Sequence, residues 1–329
     1  MFRWVVRFLS CTALFASLVS IAQAQDLPTL SAGRLPSGVA PTLDGRVDDE
    51  VWSRVQPYSN FTQQDPFEGS PATEKTEVRV LHDGTTIYFG FICYDSEPDK
   101  IIVSQARRDS TLTDTDAIIF VLDTFNDRQN AFVFGTNPLG IEYDGQVAGE
   151  GQTSGSSGGG APAPGQQSNQ QRGNINAFNP NWDGNWTVKA QVTERGWEAE
   201  VAIPFKTLRY LPGDGRTWGF NVWRNIRRKN EQVFLAAIPR GFDIYRVSLA
   251  AKLNQLALPA QRELRFIPYV LGSGNKDFTV GGNPLDRKAE VGVDAKWAVR
   301  PSLTADFTVN TDFAQVEVDD EQVNLTRFD

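Results

Sequence analysis

An unbroken apolar run near the middle of the chain constrains the fold more than any other feature. Residues 117–122 read AIIFVL, which is typical of a strand that is covered on both faces and lies inside a sheet. A polar turn at 123–130 follows, and residues 131–135 predict a second strand. The resulting hairpin needs partners from both flanks of the sequence to bury its faces, which predicts the centre of a β-sandwich.

Two further strands are predicted upstream of this hairpin. Residues 77–81 and 86–94 are extended segments separated by the turn signal HDG at 82–84. In the second segment both alternating sets of side chains are apolar, so this strand is also predicted to lie inside a sheet. Before them, a short helix is predicted to carry Trp52 onto the core.

The first 24 residues predict a secretory signal peptide. Arg3 and Arg7 precede an apolar run at 8–21, and the small residues AQA at 22–24 complete a cleavage site. The apolar run is shorter than the roughly 20 residues that a membrane-spanning helix requires. We therefore expect an exported protein, with an N-terminal extension at 25–40 ahead of the folded part.

The composition of the exported chain excludes some partners. Cleavage removes Arg3 and Arg7 from the 32 basic residues and none of the 40 acidic residues, which leaves a formal charge of −10. This acidic balance argues against nucleic acid and anionic lipid headgroups as partners. Cys11 leaves with the signal, so Cys93 is the only cysteine that stays, and its strand pattern IYFGFICY predicts a buried, unreactive thiol.

Five sequence blocks follow one another in the order of a known family. They are LDGRVDDEVW, TTIYFGFICYDSEP, DTDAIIFVLDTFNDRQNAFVF, GWEAEVAIPFKTL and WGFNVWRNIRRKNE. This order resembles a family 9 carbohydrate-binding module. It is more closely similar to the version of that module that begins exported bacterial proteins whose C-terminal part is a predicted outer-membrane barrel domain of unknown function. The resemblance implies an all-β fold with an antiparallel, jelly-roll-like β-sandwich at 41–240, sugar as the ligand class and a structural calcium ion.

A polar segment at 149–173 interrupts the predicted sandwich. It reads GEGQTSGSSGGGAPAPGQQSNQQRG and has almost no apolar side chains, so burial cannot offset the entropy lost on ordering it. We predict a flexible surface insertion that leaves the sandwich and returns to it. A recognition arm is the functional alternative.

The tryptophans are the candidate sugar contacts, because the C–H faces of a pyranose ring stack on flat aromatic surfaces. In WGFNVWRNIRR, one alternating set of side chains predicts a core face, and the other predicts an exposed Trp223 indole among amide and guanidinium donors. The NWDGNW turn could add a second stacking surface. The predicted carbohydrate-binding residues are Trp223, Asn221, Asn225, Arg227, Trp182 and Trp186. The alternative is that these indoles cover the edge of the sandwich without any ligand.

Clusters of acidic residues are the candidate metal ligands. Besides the segment 44–50, the candidates are Asp95, Glu97, Asp99, Asp114 and Asp116. Oxygen-rich loops of this kind could hold calcium, a hard cation with six to eight oxygen ligands. None of the clusters has the spacing of a helix-loop-helix calcium site, so the calcium prediction depends mainly on the resemblance. The alternative is that these are solvated loops of an acidic protein.

No catalytic constellation is marked in the sequence. The single histidine, His82, excludes multi-histidine metal sites and leaves a Ser-His-Asp triad only through that residue. No carboxylate pair is marked by a motif for glycoside hydrolysis, and Glu198 and Glu200 are predicted to form the solvent face of a strand. A glycoside hydrolase, or a hydrolase-associated protein of carbohydrate catabolism, is an alternative because such modules occur attached to these enzymes.

The pattern of the chain changes after Pro239. A linker is predicted at 241–260. Residues 291–300 and 303–310 then alternate apolar and polar side chains across a short turn, which is typical of transmembrane barrel strands and of half-exposed soluble hairpins. The resemblance favours the barrel, so residues 261–329 are predicted to be its start. A barrel needs about eight strands or more, and only about three are predicted here, so it is incomplete.

The predicted function is non-catalytic glycan binding at the bacterial cell envelope, in the outer membrane or the periplasm. The predicted partners are a glycan or oligosaccharide and, through the C-terminal strands, the outer membrane. An outer-membrane channel or transporter that uses the sandwich as a cap is a further alternative.

Overall fold

The computed structural model describes residues 27–104, 106–151, 178–260, 264–275, 286–300 and 303–309. The predicted signal peptide and most of the predicted insertion lie outside these residues. The described part of the chain contains strands and short 3₁₀ helices and no α-helix, which confirms the all-β prediction. None of its helices is long and apolar enough to cross a membrane.

The described residues form seventeen strands, joined by turns and short helices. In chain order the strands are β1 (Thr29–Ser31), β2 (Gly33–Arg34), β3 (Thr62–Asp65), β4 (Thr76–His82), β5 (Thr86–Tyr94), β6 (Ala117–Asp123), β7 (Ala131–Thr136), β8 (Tyr143–Val147), β9 (Phe178–Asn179), β10 (Thr187–Thr193), β11 (Gly196–Pro204), β12 (Gly213–Ile226), β13 (Glu231–Phe234), β14 (Ala251–Leu258), β15 (Leu264–Asn275), β16 (Asp286–Arg300) and β17 (Leu303–Val309). The 3₁₀ helices are Glu50–Arg54, Pro98–Lys100, Gly149–Gly151, Phe205–Thr207, Arg227–Lys229 and Val247–Leu249.

These strands form three sheets. The larger sheet has the order β1-β14-β12-β6-β7-β8-β9, and β13 pairs with both β12 and β3 beside it. The smaller sheet has the order β10-β11-β5-β4-β2, and the third has the order β15-β16-β17. All pairs are antiparallel except β1 with β14 and β2 with β4.

The predicted central hairpin is the centre of the larger sheet. All seven residues of β6 are buried, and β6 pairs with β7 on one side and β12 on the other. In the smaller sheet, β5 lies between β4 and β11, also with buried side chains on both faces. Both strand predictions are confirmed.

The main core lies between the larger and smaller sheets. Phe89 of β5 packs against Phe120 of β6 and Phe220 of β12, with ring centroids 4.9 and 5.5 Å apart. Cys93 is fully buried in this layer, and burial raises the pKa of its thiol to about 12. The β-sandwich and the burial of Cys93 are confirmed.

Both outer faces of the sandwich are also covered. Val47 and Trp52 pack on the outer face of the smaller sheet. Ile238, Ile244 and Val247 pack on the outer face of the larger sheet. A side chain that points away from the main core is therefore often still buried.

This cover makes one sequence prediction wrong. Glu198 and Glu200 of β11 were expected at the solvent face, but they are 1% and 0% exposed. The backbone N–H of Val47 donates to Glu198, and the backbone N–H of Gly45 donates to Glu200, at 2.9 and 3.0 Å. Alternation along β11 separates two faces correctly but carries no information about the segment 44–52 that covers one of them.

The predicted domain boundaries also need correction. The segment 241–260, predicted as a linker, contains β14, which pairs with β12 inside the larger sheet. The segment 25–40, predicted as an extension, contributes β1 to the same sheet, and Leu30 lies in the main core. The sandwich therefore uses strands from both of these segments.

The third sheet has one apolar face. Its register aligns Phe266 with Ala295 and Phe307, and the next pair along aligns Val293 with Val309. Phe266 is 63% exposed and Phe307 is 57% exposed. The opposite face carries Lys296 paired with Asp306, so the predicted amphipathic strands are present. The described strands form an open three-stranded sheet.

Candidate functional site

Trp223, the first predicted sugar contact, is buried. Its side chain is 7% exposed and packs in the cluster that includes Phe234 and Ile238 on the outer face of the larger sheet. Its indole N–H donates to the Oε1 atom of Gln232 at 2.9 Å. The prediction of an exposed indole is wrong because the chain that follows β13 covers this face.

The two asparagines predicted to bind sugar beside Trp223 use their side chains for hydrogen bonds within the protein. The Nδ2 atom of Asn221 donates to the carbonyl oxygen of Ala236 at 3.0 Å. The Nδ2 atom of Asn225 donates to the carbonyl oxygen of Thr115 at 2.8 Å. Both asparagines are buried, so neither presents a donor to a ligand, contrary to the prediction.

Arg227 lies at the end of this strand and is partly exposed. Its Nη1 atom donates to the Oδ1 atom of Asn230 at 2.7 Å, and its Nη2 atom lies 3.7 Å from the Oδ1 atom of Asp114. The structure therefore does not bring Arg227 together with an exposed indole.

The two tryptophans of the NWDGNW turn have different surroundings. Trp186 is 4% exposed, and its indole N–H donates to the Oδ2 atom of Asp144 at 3.2 Å, so it is a packing residue. Trp182 is partly exposed, and its ring packs against Phe132 and Phe134 with centroids 5.0 and 5.9 Å away. Of the three predicted indoles, Trp182 is the one that is partly exposed.

Gly184 allows Trp182 to lie close to its own backbone. A Cβ atom at Gly184 would lie 2.6 Å from the Cη2 atom of Trp182, which is shorter than any normal contact. The backbone N–H of Gly184 donates to the Oδ2 atom of Asp144 at 2.6 Å, which ties the turn to β8. The local sequence thus sets where the indole lies.

Arg108 lies beside this turn and is surrounded by carboxylates. Its Nη1 atom is 2.9 Å from Oε2 of Glu142, and its Nη2 atom is 3.3 Å from Oδ1 of Asp144. The Nη2 atom also pairs with Asp183, and Nε is 3.5 Å from Oδ2 of Asp109. We call these five residues the Arg108 cluster. The Arg108 cluster together with Trp182 is the Arg108 site.

The Arg108 cluster combines buried and exposed charges. The side chain of Asp144 is 1% exposed, whereas those of Arg108 and Asp183 are 42% and 75% exposed. Burial raises the pKa of Asp144, although the Gly184 hydrogen bond and the charge of Arg108 oppose the rise. Burial likewise raises the pKa of Glu142 against the charge of Arg108. For both carboxylates, burial thus outweighs the opposing charge of Arg108.

The Arg108 site has the groups that recognise a sugar. Asp144 links the Arg108 cluster to the NWDGNW turn, because one of its carboxylate oxygens contacts Arg108 and the other accepts the backbone N–H of Gly184. Guanidinium donors and carboxylate acceptors match hydroxyl groups, which both donate and accept hydrogen bonds. A partly exposed indole beside them offers a surface for stacking. Sequence reasoning missed Arg108, because it lies in a polar loop with no motif around it.

The predicted calcium ligands do not fit a calcium ion. Asp95 and Glu97 both pair with the guanidinium of Arg228, at 2.6 and 2.7 Å. The Oδ2 atom of Asp116 accepts the backbone N–H of Ile102 at 2.9 Å. Asp99 is exposed, and the Oδ1 atom of Asp114 lies 3.7 Å from the Nη2 atom of Arg227. Within the described ranges, no group of three or more His, Cys, Asp or Glu side chains is placed to hold a metal ion.

Two family models match the chain. The model described as Carbohydrate family 9 binding domain-like matches residues 43–233. The model described as Domain of unknown function (DUF5916) matches residues 259–329. Comparison with curated proteins finds no match.

Solved structures with a similar fold include sugar complexes. A family 9 carbohydrate-binding module from Caldicellulosiruptor kristjanssonii in complex with cellotriose is 16% identical, with a TM-score of 0.44, over 71% of this chain and 94% of that chain. The complex with glucose is 16% identical, with a TM-score of 0.44, over 69% and 98%. A putative carbohydrate-binding protein from Bacteroides uniformis is 12% identical, with a TM-score of 0.48, over 70% and 99%.

Proposed function

The chain belongs to the Carbohydrate family 9 binding domain-like family, and from this membership we propose that its sandwich binds a glycan at the Arg108 site. Binding is non-covalent and leaves the glycan unchanged. The observation that supports this placement is that Trp182, which is partly exposed, directly precedes Asp183, one of the four carboxylates that share the Arg108 guanidinium.

The chemistry of the Arg108 cluster supports a hydroxyl-rich ligand. Its donors and acceptors are held in place by one another and by the backbone of the NWDGNW turn, so binding orders few further side chains. A sugar hydroxyl can exchange with an exposed ion-pair contact, such as the one between Arg108 and Asp183. Affinity is weak, because an open site removes little of its ligand from water.

Isothermal titration calorimetry tests this proposal, with cellotriose and a panel of other neutral oligosaccharides as probes. Trp182→Ala removes the stacking surface and Arg108→Gln removes the charged donor. Each change is expected to weaken binding at least about tenfold, or about 1.4 kcal/mol. Arg107→Gln is the matched control, because Arg107 is the exposed neighbour of Arg108 and takes no part in the site.

The outcomes separate the function from its placement. If the unaltered protein binds no oligosaccharide of the panel, the proposed function is wrong. If it binds one, and both Trp182→Ala and Arg108→Gln bind as tightly as Arg107→Gln, the function stands and the Arg108 site is wrong.

We also propose that the protein is exported to the cell envelope and that strands β15, β16 and β17 contact lipid as the first strands of an outer-membrane barrel. The supporting observation is the exposed apolar face of the third sheet, where Phe266, Val270 and Phe307 are 63%, 78% and 57% exposed. Apolar side chains on one face of each strand are what a lipid-facing surface requires.

Liposome flotation tests this second proposal. Val270→Asp places a charge on the apolar face and is expected to reduce the floated fraction several-fold. Thr308→Asp adds the same charge to the opposite face of the sheet and is expected to leave flotation unchanged. Equal flotation of both variants and the unaltered protein would contradict lipid contact through this face.

A further inference from the structure

Arg228 joins three separate parts of the sandwich at one end. It follows β12 in the 3₁₀ helix Arg227–Lys229. Its guanidinium contacts Asp95 and Glu97, which follow β5, at 2.6 and 2.7 Å, and Glu74, which precedes β4, at 3.5 Å. A strand end of the larger sheet is thus tied to two strand ends of the smaller sheet through one positive charge.

The carboxylates around Arg228 need a cation. The side chains of Asp95 and Glu74 are 1% and 8% exposed, so water cannot stabilise their charges fully. Here the planar guanidinium reaches two of the carboxylates with separate nitrogens, Nη2 toward Asp95 and Nη1 toward Glu97.

Lys229 brings a second positive charge to these carboxylates. The Nζ atom of Lys229 lies 2.6 Å from Oε1 of Glu74 and also donates to the hydroxyl of Thr73 at 2.8 Å. The hydroxyl of Ser96 donates to the same carboxylate at 2.6 Å. Burial alone would raise the pKa of Glu74, but the Lys229 and Ser96 hydrogen bonds outweigh it, so the pKa lies below its usual range.

We propose that Arg228 is the internal cation of this end of the sandwich and that the cluster of Glu74, Asp95 and Glu97 takes no calcium ion. The resemblance to family 9 modules implies a structural calcium, and two of its predicted ligands are the carboxylates that Arg228 occupies. The guanidinium links the same loops that a bound metal ion would link, so the fold does not depend on calcium there. Removing the guanidinium is expected to let these carboxylates rearrange around a calcium ion.

Thermal unfolding of the full chain in excess EDTA or in millimolar CaCl₂ tests the proposal. The melting temperature of the unaltered protein is expected to agree within about 1 °C between the two buffers, since no metal joins these loops. Arg228→Met is expected to lower it by about 5–10 °C in EDTA, because Asp95 loses its cation while Glu74 and Glu97 keep only Lys229 and Lys100. Calcium is expected to restore part of that loss. Arg227→Met is the matched control, and calcium is expected to leave the melting temperature of this variant unchanged.

Terbium luminescence gives a second readout that does not depend on how stable the variant is. Terbium is expected to bind the single variant Arg228→Met. It is not expected to bind the double variant that carries both Arg228→Met and Asp95→Asn. The proposal is overturned if calcium stabilises the unaltered protein and Asp95→Asn abolishes that effect, because the cluster is then a metal site. It is also overturned if Arg228→Met gains no response to calcium or terbium, because the carboxylates then do not form a cation site.

Discussion

The indole Nε1 atom of Trp52 donates a 2.9 Å hydrogen bond to the Oε1 atom of Glu200, which is 148 positions later in the chain. The other oxygen of Glu200 accepts the backbone N–H groups of Asp44 and Gly45, at 2.9 and 3.0 Å. One buried carboxylate thus satisfies three donors of the segment that covers the outer face of the smaller sheet. Glu200 is the anchor of that segment.

Glu200→Leu is therefore expected to lower the free energy of unfolding by about 2–4 kcal/mol. The change leaves the buried backbone N–H of Gly45 and the buried indole N–H of Trp52 without acceptors, and each such loss costs about 1–3 kcal/mol. The backbone N–H of Asp44 is only partly buried and can turn to water. Urea unfolding followed by tryptophan fluorescence measures the effect. Glu194→Leu, at the exposed turn between β10 and β11, should stay within about 0.5 kcal/mol of the unaltered protein. Equal midpoints for the two variants would show that Glu200 does not anchor the segment.

Asp116 is expected to make stability fall as pH rises between about 4 and 6. Burial raises the pKa of Asp116 to about 6, from 3.8, although the Ile102 backbone hydrogen bond opposes the rise. In this window the folded chain holds a proton that the unfolded chain has released, so raising the pH favours unfolding. Relative to Asp116→Asn, the unaltered protein should lose roughly 2–3 kcal/mol between pH 4 and pH 7.

Urea unfolding at a series of pH values gives this difference directly. Asp114→Asn changes an exposed carboxylate two residues earlier and should give a profile parallel to that of the unaltered protein. If the pH profile of Asp116→Asn is also parallel to that of the unaltered protein, Asp116 does not titrate in this window.

Gly184→Ala is expected to weaken glycan binding without unfolding the sandwich. The added Cβ atom would lie 2.6 Å from the Cη2 atom of Trp182, so the indole must move away from the turn. Trp182 is partly exposed, so the indole can be displaced toward solvent, and the stacking surface of the Arg108 site then changes position. Calorimetry should show a loss of about tenfold, or about 1.4 kcal/mol. Asn185→Ala, at the next and exposed position, should bind as the unaltered protein does, and equal losses in both variants would contradict the role of Gly184.

The central strands could be predicted because their evidence is local. An apolar run such as 117–122, or a segment with two apolar faces such as 86–94, records burial in its own residues. What covers an outer face is not local. Glu200 lies under a segment about 150 positions earlier, and Trp223 lies under the chain that follows β13. The alternation of side chains therefore assigns each residue to the correct face of its sheet, but it wrongly predicts that this face is exposed.

The Arg108 site could not be predicted from spacing for the same reason. Its arginine comes from the loop before β6, and its carboxylates come from that loop, from β8 and the residue before it, and from the NWDGNW turn. Arg108 and Asp183 are 75 positions apart. The predicted residue that does belong to the site, Trp182, was found from its turn and its ring chemistry, which are local properties.

Trp223→Phe separates a structural indole from a binding one. Because Trp223 is 7% exposed and donates to Gln232, the change is expected to cost about 1–2 kcal/mol of unfolding free energy through lost packing and a lost hydrogen bond. The dissociation constant for a bound oligosaccharide should stay within about twofold, because no face of this indole is open to a ligand. Trp182→Ala should instead show a large loss of affinity. If Trp223→Phe lost affinity as strongly as Trp182→Ala, the glycan would have to reach the covered face of the larger sheet, and the segment around Ile238, Ile244 and Val247 would have to open for it.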